Sequence, residues 1–312
     1  MLSFVFSGHQ SFAPRISWFP KAVAAIEAGI DPFSDPRKGM STLGLGKNMV
    51  ESLAFWVQAA GVAVKNGGVV SLTDFSKTVL VCSGGFDPFL ENLQTLWILH
   101  WNLCQGWRDG AGLKRPYAWH FFSSVFQDDE IIASEAIDHF AGSIALLPKP
   151  LSAVTLRQHF DIFMRTYVPG ESTGPRSTPE DSLDSPLTAL ALVKRCGEKK
   201  LPHGKRETVY RFNSAPKPSI SDYTFRYCLS EWWDRAYPNE MRLTLRDISF
   251  SEGGPGRVFR LPEADIHRRL IALTNTHPKE WALIESQNQR GIQRSSRRDS
   301  NSLLKSIYNR LS

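Results

Sequence analysis

Three observations predict an α+β fold that is mainly α with small β hairpins. They are the helix-type apolar spacing of residues 43–61, the helical stretches before it, and the Asn-Gly turn just after it. Together they describe a winged-helix-like N-terminal module, followed by helical C-terminal modules carrying further hairpins. The predicted boundaries are 1–80 for the winged-helix-like module, 81–168 for a helical connector and 169–312 for a C-terminal α+β module.

Arg15 to Ala28 reads as the first helix, with Pro20 near its start, Phe19, Val23 and Ile26 on one side and Gly29 as its stop. Asp31-Pro32 and Asp35-Pro36 break the chain, and a short helix around Arg37 to Leu43 leads through Gly44 and Gly46 into a long one. There Met49, Leu53, Trp56 and Ala60 form one apolar stripe, while Asn48, Glu51, Ser52 and Gln58 take the other side. Lys47 and Asn48 head that helix. Free N–H groups and the helix dipole attract phosphate there, and asparagine can pair bidentately with an adenine edge. Ser52, on the same polar side, joins them as a candidate DNA contact. Two β-type runs meet at Asn66-Gly67, which sets Lys65 at the tip of a wing. A winged helix used only for protein docking is the alternative.

Asp87-Pro-Phe-Leu-Glu91 reads as the start of a central helix, with Asp87 as N-cap, and the apolar run through Trp101 ties the modules together. Capping accounts for Asp87 and Glu91; the other reading is that these carboxylates, near His100 or His9, hold a hard divalent ion. Residues 169–186 are rich in Pro, Ser and Gly and mark a boundary. Beyond it, residues 194–211 read as a second wing, with Lys199, Lys200, Lys205 and Arg206 at its tip. Helices over 221–236 and 263–273 are predicted, with strands at 243–248 and 257–261 flanking Ser251-Glu-Gly-Gly-Pro-Gly256.

The chain has 312 residues, and 37 Lys and Arg against 31 Asp and Glu give it a net charge of +6. That excess is mild, so its placement matters more than its total. It gathers in the second wing and in a tail from Arg290 through Arg294, Arg297, Arg298, Lys305 and Arg310. Cys82, Cys104, Cys196 and Cys228 are far apart and form no CxxC pair, which argues against a zinc knuckle or a disulfide framework. No signal peptide or membrane-spanning run is present in the sequence, and a cytoplasmic location is expected. Gly44-Leu-Gly-Lys-Asn lacks the first glycine and the hydroxyl of a phosphate loop. Asp184 with Glu198-Lys-Lys200 matches a loose nuclease spacing, although Lys200 on a hairpin tip reads more simply as a phosphate contact.

Phe6-Ser-Gly-His-Gln-Ser-Phe12, Trp18-Phe-Pro-Lys21, Leu43-Gly-Leu-Gly-Lys-Asn-Met-Val50, Asp87-Pro-Phe-Leu-Glu91, Thr95 to Trp101 and Pro255-Gly-Arg-Val-Phe259 together resemble the SspB-type family of DNA phosphorothioation systems. The resemblance spans nearly the whole chain, more loosely over 160–215. It implies a magnesium-dependent DNA-nicking component of a phage-defence system that modifies single DNA strands. The expected partners are double-stranded DNA, a cysteine desulfurase, an ATPase and sulfur-transfer proteins. Under it, Asp87 and Glu91 are the candidate Mg²⁺ ligands and His9 and His100 the candidate catalytic groups. A non-catalytic DNA-binding adaptor that recruits the sulfur-transfer proteins is the alternative.

Overall fold

The structure is a computed structural model that describes residues 2–147, 150–170, 185–202, 204–286 and 289–309. It opens with β1 (Leu2–Val5), α1 (Trp18–Glu27), α2 (Pro36–Leu43), α3 (Lys47–Ala59), β2 (Ala63–Asn66), β3 (Val69–Leu72) and α4 (Asp74–Val79). The predicted order of three helices and a hairpin is therefore present, and the fold is α+β as the sequence implied. Asp35 caps α2 by accepting from the N–H groups of Arg37 and Lys38, and Gly44 ends it in a left-handed conformation. The β2–β3 turn is Gly67-Gly68, both at positive φ, which places Lys65 one residue from the tip, opposite Val70.

The chain continues with α5 (Leu93–Gln105), β4 (Trp107–Asp109), β5 (Gly112–Pro116), α6 (Tyr117–His120), a π-helical turn (Phe121–Val125), β6 (Glu130–Ile132), α7 (Ala133–Ser143) and α8 (Ala153–Tyr167). The predicted helix start at Asp87 is not found. The chain makes a turn first, Asn92 caps α5 instead, and Leu90 sits at positive φ between them. The sequence reading also missed β1, which pairs in parallel with β5, Leu2 against Leu113. The π-helical turn closes with the Phe126 N–H on the Phe121 carbonyl at 2.8 Å, and the buried Arg260 guanidinium donates to the carbonyls of Phe122 and Phe126 at 2.7 Å each. A buried cation thus satisfies carbonyls that irregular helix geometry leaves over.

The remainder comprises β7 (Val193–Lys200), β8 (Arg206–Phe212), α9 (Asp222–Ala236), β9 (Arg242–Thr244), α10 (Leu245–Phe250), α11 (Pro255–Val258), α12 (Glu263–Thr276), β10 (Trp281–Glu285), β11 (Arg290–Arg294) and α13 (Ser300–Tyr308). The second hairpin is present, but β6 joins it to make a three-stranded sheet in the order β6–β8–β7. Of the strands expected on either side of 251–256, the first is present only at Leu243 and Thr244, in β9, before α10 begins, and the second begins inside α11. Thr244 and Asp247 form a reciprocal capping box that starts α10, and Pro255 opens α11. β9 pairs with β11 instead, Ile292 against Leu243.

One contiguous set of buried side chains runs from Trp18 to Tyr308, so the three expected modules share a core. Trp56 of α3 packs edge-on against Trp119 with ring centroids 5.1 Å apart, and the Asn102 amide donates to the Ala60 carbonyl. No helix among the described residues is long and apolar enough to cross a membrane.

Candidate nucleic-acid interface

The N-terminal turn of α3 presents Lys47 and Asn48 to solvent, as the sequence predicted. Neither side chain has a partner among the described residues. Gly46, at the N-cap, supplies no capping side chain, so the first N–H groups of α3 stay open to a ligand. The rest of the helix is buried more widely than a single stripe, with Val50, Phe55 and Val57 inside as well. Ser52 is among the buried residues. Its exposure is 0 % and its hydroxyl donates to the His9 carbonyl at 2.8 Å, which removes it from the set of DNA contacts. Lys65 is exposed on the first hairpin.

The second hairpin carries its cations near the tip, but carboxylates share several of them. Lys199 lies 3.5 Å from Glu130, Lys205 2.8 Å from Glu207, and Arg206 3.8 Å from Glu198. Lys200 has no partner among the described residues. The face of this hairpin and α8 enclose a cleft of about 1090 Å³ whose lining includes Arg15, Arg165, Lys194 and Arg195 and, among the described residues, no carboxylate. It continues through Arg165, Thr208 and Tyr210 into a neighbouring hollow lined by Arg157, Lys205 and Arg206 together with Asp161 and Glu207. Arg15, Arg157, Arg165, Lys194 and Arg195 could not be grouped from the sequence, because the approach of α8 to β7 and β8 is a tertiary event.

The basic tail does not exist as a free arm. Arg294 is 1 % exposed, 2.5 Å from Asp234, with its guanidinium 4.5 Å from the Trp233 ring centre. Arg297 also faces Asp234, and Arg298 pairs with Glu280. Arg310 and Asp184 lie outside the described residues.

The four candidates for chemistry are not brought together. His100 is fully buried, its Nδ1 2.7 Å from the Tyr167 hydroxyl and its Nε2 2.9 Å from the Val258 carbonyl. Burial pushes its pKa down to about 4. His9 is 4 % exposed, and its Nε2 lies 3.1 Å from Nδ1 of His159, whose own Nε2 donates to the Phe6 carbonyl at 2.7 Å. That chain of bonds makes His9 the Nε2–H tautomer, and burial followed by the neighbouring His159 lowers its pKa to about 4. Asp87 is 5 % exposed, and its two oxygens accept the N–H groups of Glu91 at 2.8 Å and Asn92 at 3.1 Å. Its carboxylate caps the turn before α5, while Glu91 points outward. Asp87 and Glu91 therefore do not fit as a chelating pair. Among the described residues no three His, Cys, Asp or Glu side chains gather as a metal-binding group.

A protein-family profile described as "protein of unknown function (DUF4007)" matches residues 6–308. The chain belongs to the DUF4007 family. Two solved structures share the fold of this DUF4007 protein. Magnesium ion-bound SspB superposes with a TM-score of 0.82 at 24% identity, covering 99% of this chain and 88% of that one. A second SspB crystal structure gives 0.80 at the same identity and coverage. No curated protein matches this DUF4007 chain. The likeness to SspB read from the motifs thus holds at the level of the fold.

Proposed function

We propose that this protein binds double-stranded DNA and cuts one strand with Mg²⁺, as a component of a DNA phosphorothioate modification and phage-defence system. The observation that carries the binding half is the basic cleft between α8 and the second hairpin, with Lys200, Lys47 and Asn48, which have no partner among the described residues, exposed elsewhere on the surface. Phosphate contacts of this kind set affinity and register, while a base contact by Asn48 supplies sequence preference.

The nicking half is supported by the fold shared with SspB, one structure of which is magnesium ion-bound. Because Asp87 and Glu91 do not fit the ion, they are given no step. Magnesium commonly keeps several waters and takes one or two carboxylates together with substrate phosphates, so a three-donor protein cage is not a requirement. In this reading a cysteine desulfurase, an ATPase and sulfur-transfer proteins act beside it. The second reading, a non-catalytic adaptor that recruits those proteins, draws on the same cleft and on the dispersed positions of His9, His100 and Asp87. Incubation with supercoiled plasmid separates the two. Conversion to open circles with Mg²⁺ but not with EDTA is the expected result, and retarded but uncut plasmid in both conditions would establish the adaptor.

A further inference from the structure

The cleft between α8 and the second hairpin is lined by groups of two kinds. The first are cations. Arg165, in the last turn of α8, and Lys194, in β7, are exposed, and neither side chain has a partner among the described residues. The dipole of α8 accounts for a cation at Arg165, but not for Lys194, which stands on a strand.

The second kind is aromatic. Tyr210 sits in β8, the central strand of the β6–β8–β7 sheet, directly opposite Arg195 of β7. It is half-buried, yet among the described residues its ring packs on no other ring and its hydroxyl bonds no other group. Phe12 also lines the cleft, but Arg15 lies over its ring at 5.9 Å and over that of Trp18 at 5.5 Å. Tyr210 is therefore the ring left open, and it borders both the cleft and the adjoining hollow. Opposite residues of an antiparallel pair project from one face of the sheet, so Tyr210 has the Arg195 side chain beside it.

Size and chemistry together decide what enters. At about 1090 Å³ the cleft is on the scale of a small-ligand pocket, whose usual upper size is on the order of 1,000 Å³. Two paired strands with their backbones do not fit in such a space. Within a duplex, moreover, a side chain reaches only base edges, because the base faces are stacked on one another. A ring beside cations matches an unpaired strand instead: the cations meet its phosphates and the ring stacks on a base.

We propose that this cleft binds an unpaired stretch of a DNA strand, with Arg165 and Lys194 on its phosphates and Tyr210 stacked on one base. The assignment rests on the proposal that the cleft binds DNA. The paired part of the DNA stays outside, at Lys47, Asn48 and Lys200, and the strands separate before one of them enters.

Anisotropy titrations with three labelled probes test this: oligothymidine of about 12 nucleotides, within the span that one such groove covers, oligouridine of the same length, and a blunt 20-base-pair duplex. Tyr210→Leu should weaken oligothymidine about tenfold and leave the duplex at parental affinity, while Tyr210→Phe, which keeps the ring, should bind both as the parent does. Arg165→Gln with Lys194→Gln should lower the slope of log affinity against log salt by about 0.7 per lost contact for oligothymidine and leave it unchanged for the duplex. If Tyr210→Leu does not fold, this second variant decides, because both of its side chains are exposed. Equal losses for duplex and oligothymidine would place paired DNA in the cleft and overturn the single-strand assignment while the DNA reading stands. Tighter binding of oligouridine than of oligothymidine, lost in Tyr210→Leu, would assign the cleft to RNA and overturn it as well. Parental binding of oligothymidine by both variants, or a parent that binds duplex but no oligothymidine, overturns the proposal. A parent that binds none of the three probes ends the DNA reading together with it.

Discussion

His9 and His100 remain neutral in the folded chain because burial removes the water that would solvate an imidazolium. Their pKa values fall to about 4 from 6.5, so between these limits the unfolded chain binds more protons than the folded one. The resulting stability is complete above pH 6.5 and is lost as pH falls toward 4, by on the order of 2 kcal/mol for each histidine at pH 5. Melting followed from pH 7 to pH 5 should show a falling midpoint, with a smaller fall in His9→Gln, whose amide can still donate to His159. Equal falls would remove His9 from this account. Asp87 poses the residue-scale question of chemistry. In Asp87→Asn one oxygen still accepts an N–H, while an NH₂ group meets the other, so about 1 kcal/mol of stability should be lost. Plasmid nicking should continue at the parental rate; its loss at unchanged stability would return Asp87 to the metal site.

At the scale of elements, the fully exposed residues of α3 are those of its first turn. Lys47→Ala with Asn48→Ala should therefore leave the melting midpoint unchanged and weaken duplex binding. The Asn48 share should appear as about 1–3 kcal/mol of discrimination between sequences, and the Lys47 share as a uniform loss. Anisotropy titrations that match the parent would exclude this helix from the interface. The second hairpin makes a finer distinction. Lys199, Lys205 and Arg206 have carboxylate neighbours and Lys200 has none, so Lys200→Gln alone should lower the salt slope by about 0.9. A parental slope would mean that Lys200 is merely solvated. Elements were legible where their signals were local. The Gly-to-Lys47 helix entry, the first hairpin, whose Gly67-Gly68 turn falls one residue past the Asn66-Gly67 turn expected, and the 221–236 helix rest on caps, turns and spacing. Of the strand expected at 243–248 only Leu243 and Thr244 are extended, in β9, and the strand expected at 257–261 begins inside α11, because the Thr244–Asp247 box and Pro255 start helices that the β-branched and aromatic residues there concealed. The tail charges and Ser52 were misplaced for a different reason: Asp234, Glu280 and His9 are distant in sequence, and no local pattern announces them.

At the scale of the molecule, the same limitation applies to module boundaries. A winged-helix order suggests a unit that stands alone, yet the buried side of residues 1–80 is completed by elements from later in the chain. Trp56 rests on Trp119, Phe55 on Trp107 at 6.3 Å, and His9 on His159, while β1 takes its only strand partner among the described residues from β5. Exposing those large aromatic surfaces would remove burial worth about 1.5–3 kcal/mol for each fully buried side chain, a large part of a typical stability margin. A fragment ending at residue 80 should therefore show no cooperative melt by circular dichroism and no duplex binding, while the full chain melts in one transition. If the fragment melts cooperatively and binds duplex, the N-terminal module is autonomous and the shared aromatic core is incidental to it. Coupling of this kind would also link the exposed turn of α3 to the α8 cleft, because the Gly8–Phe12 loop contacts both. Ser52 of α3 holds the His9 carbonyl, and Ser11 and Phe12 line the cleft.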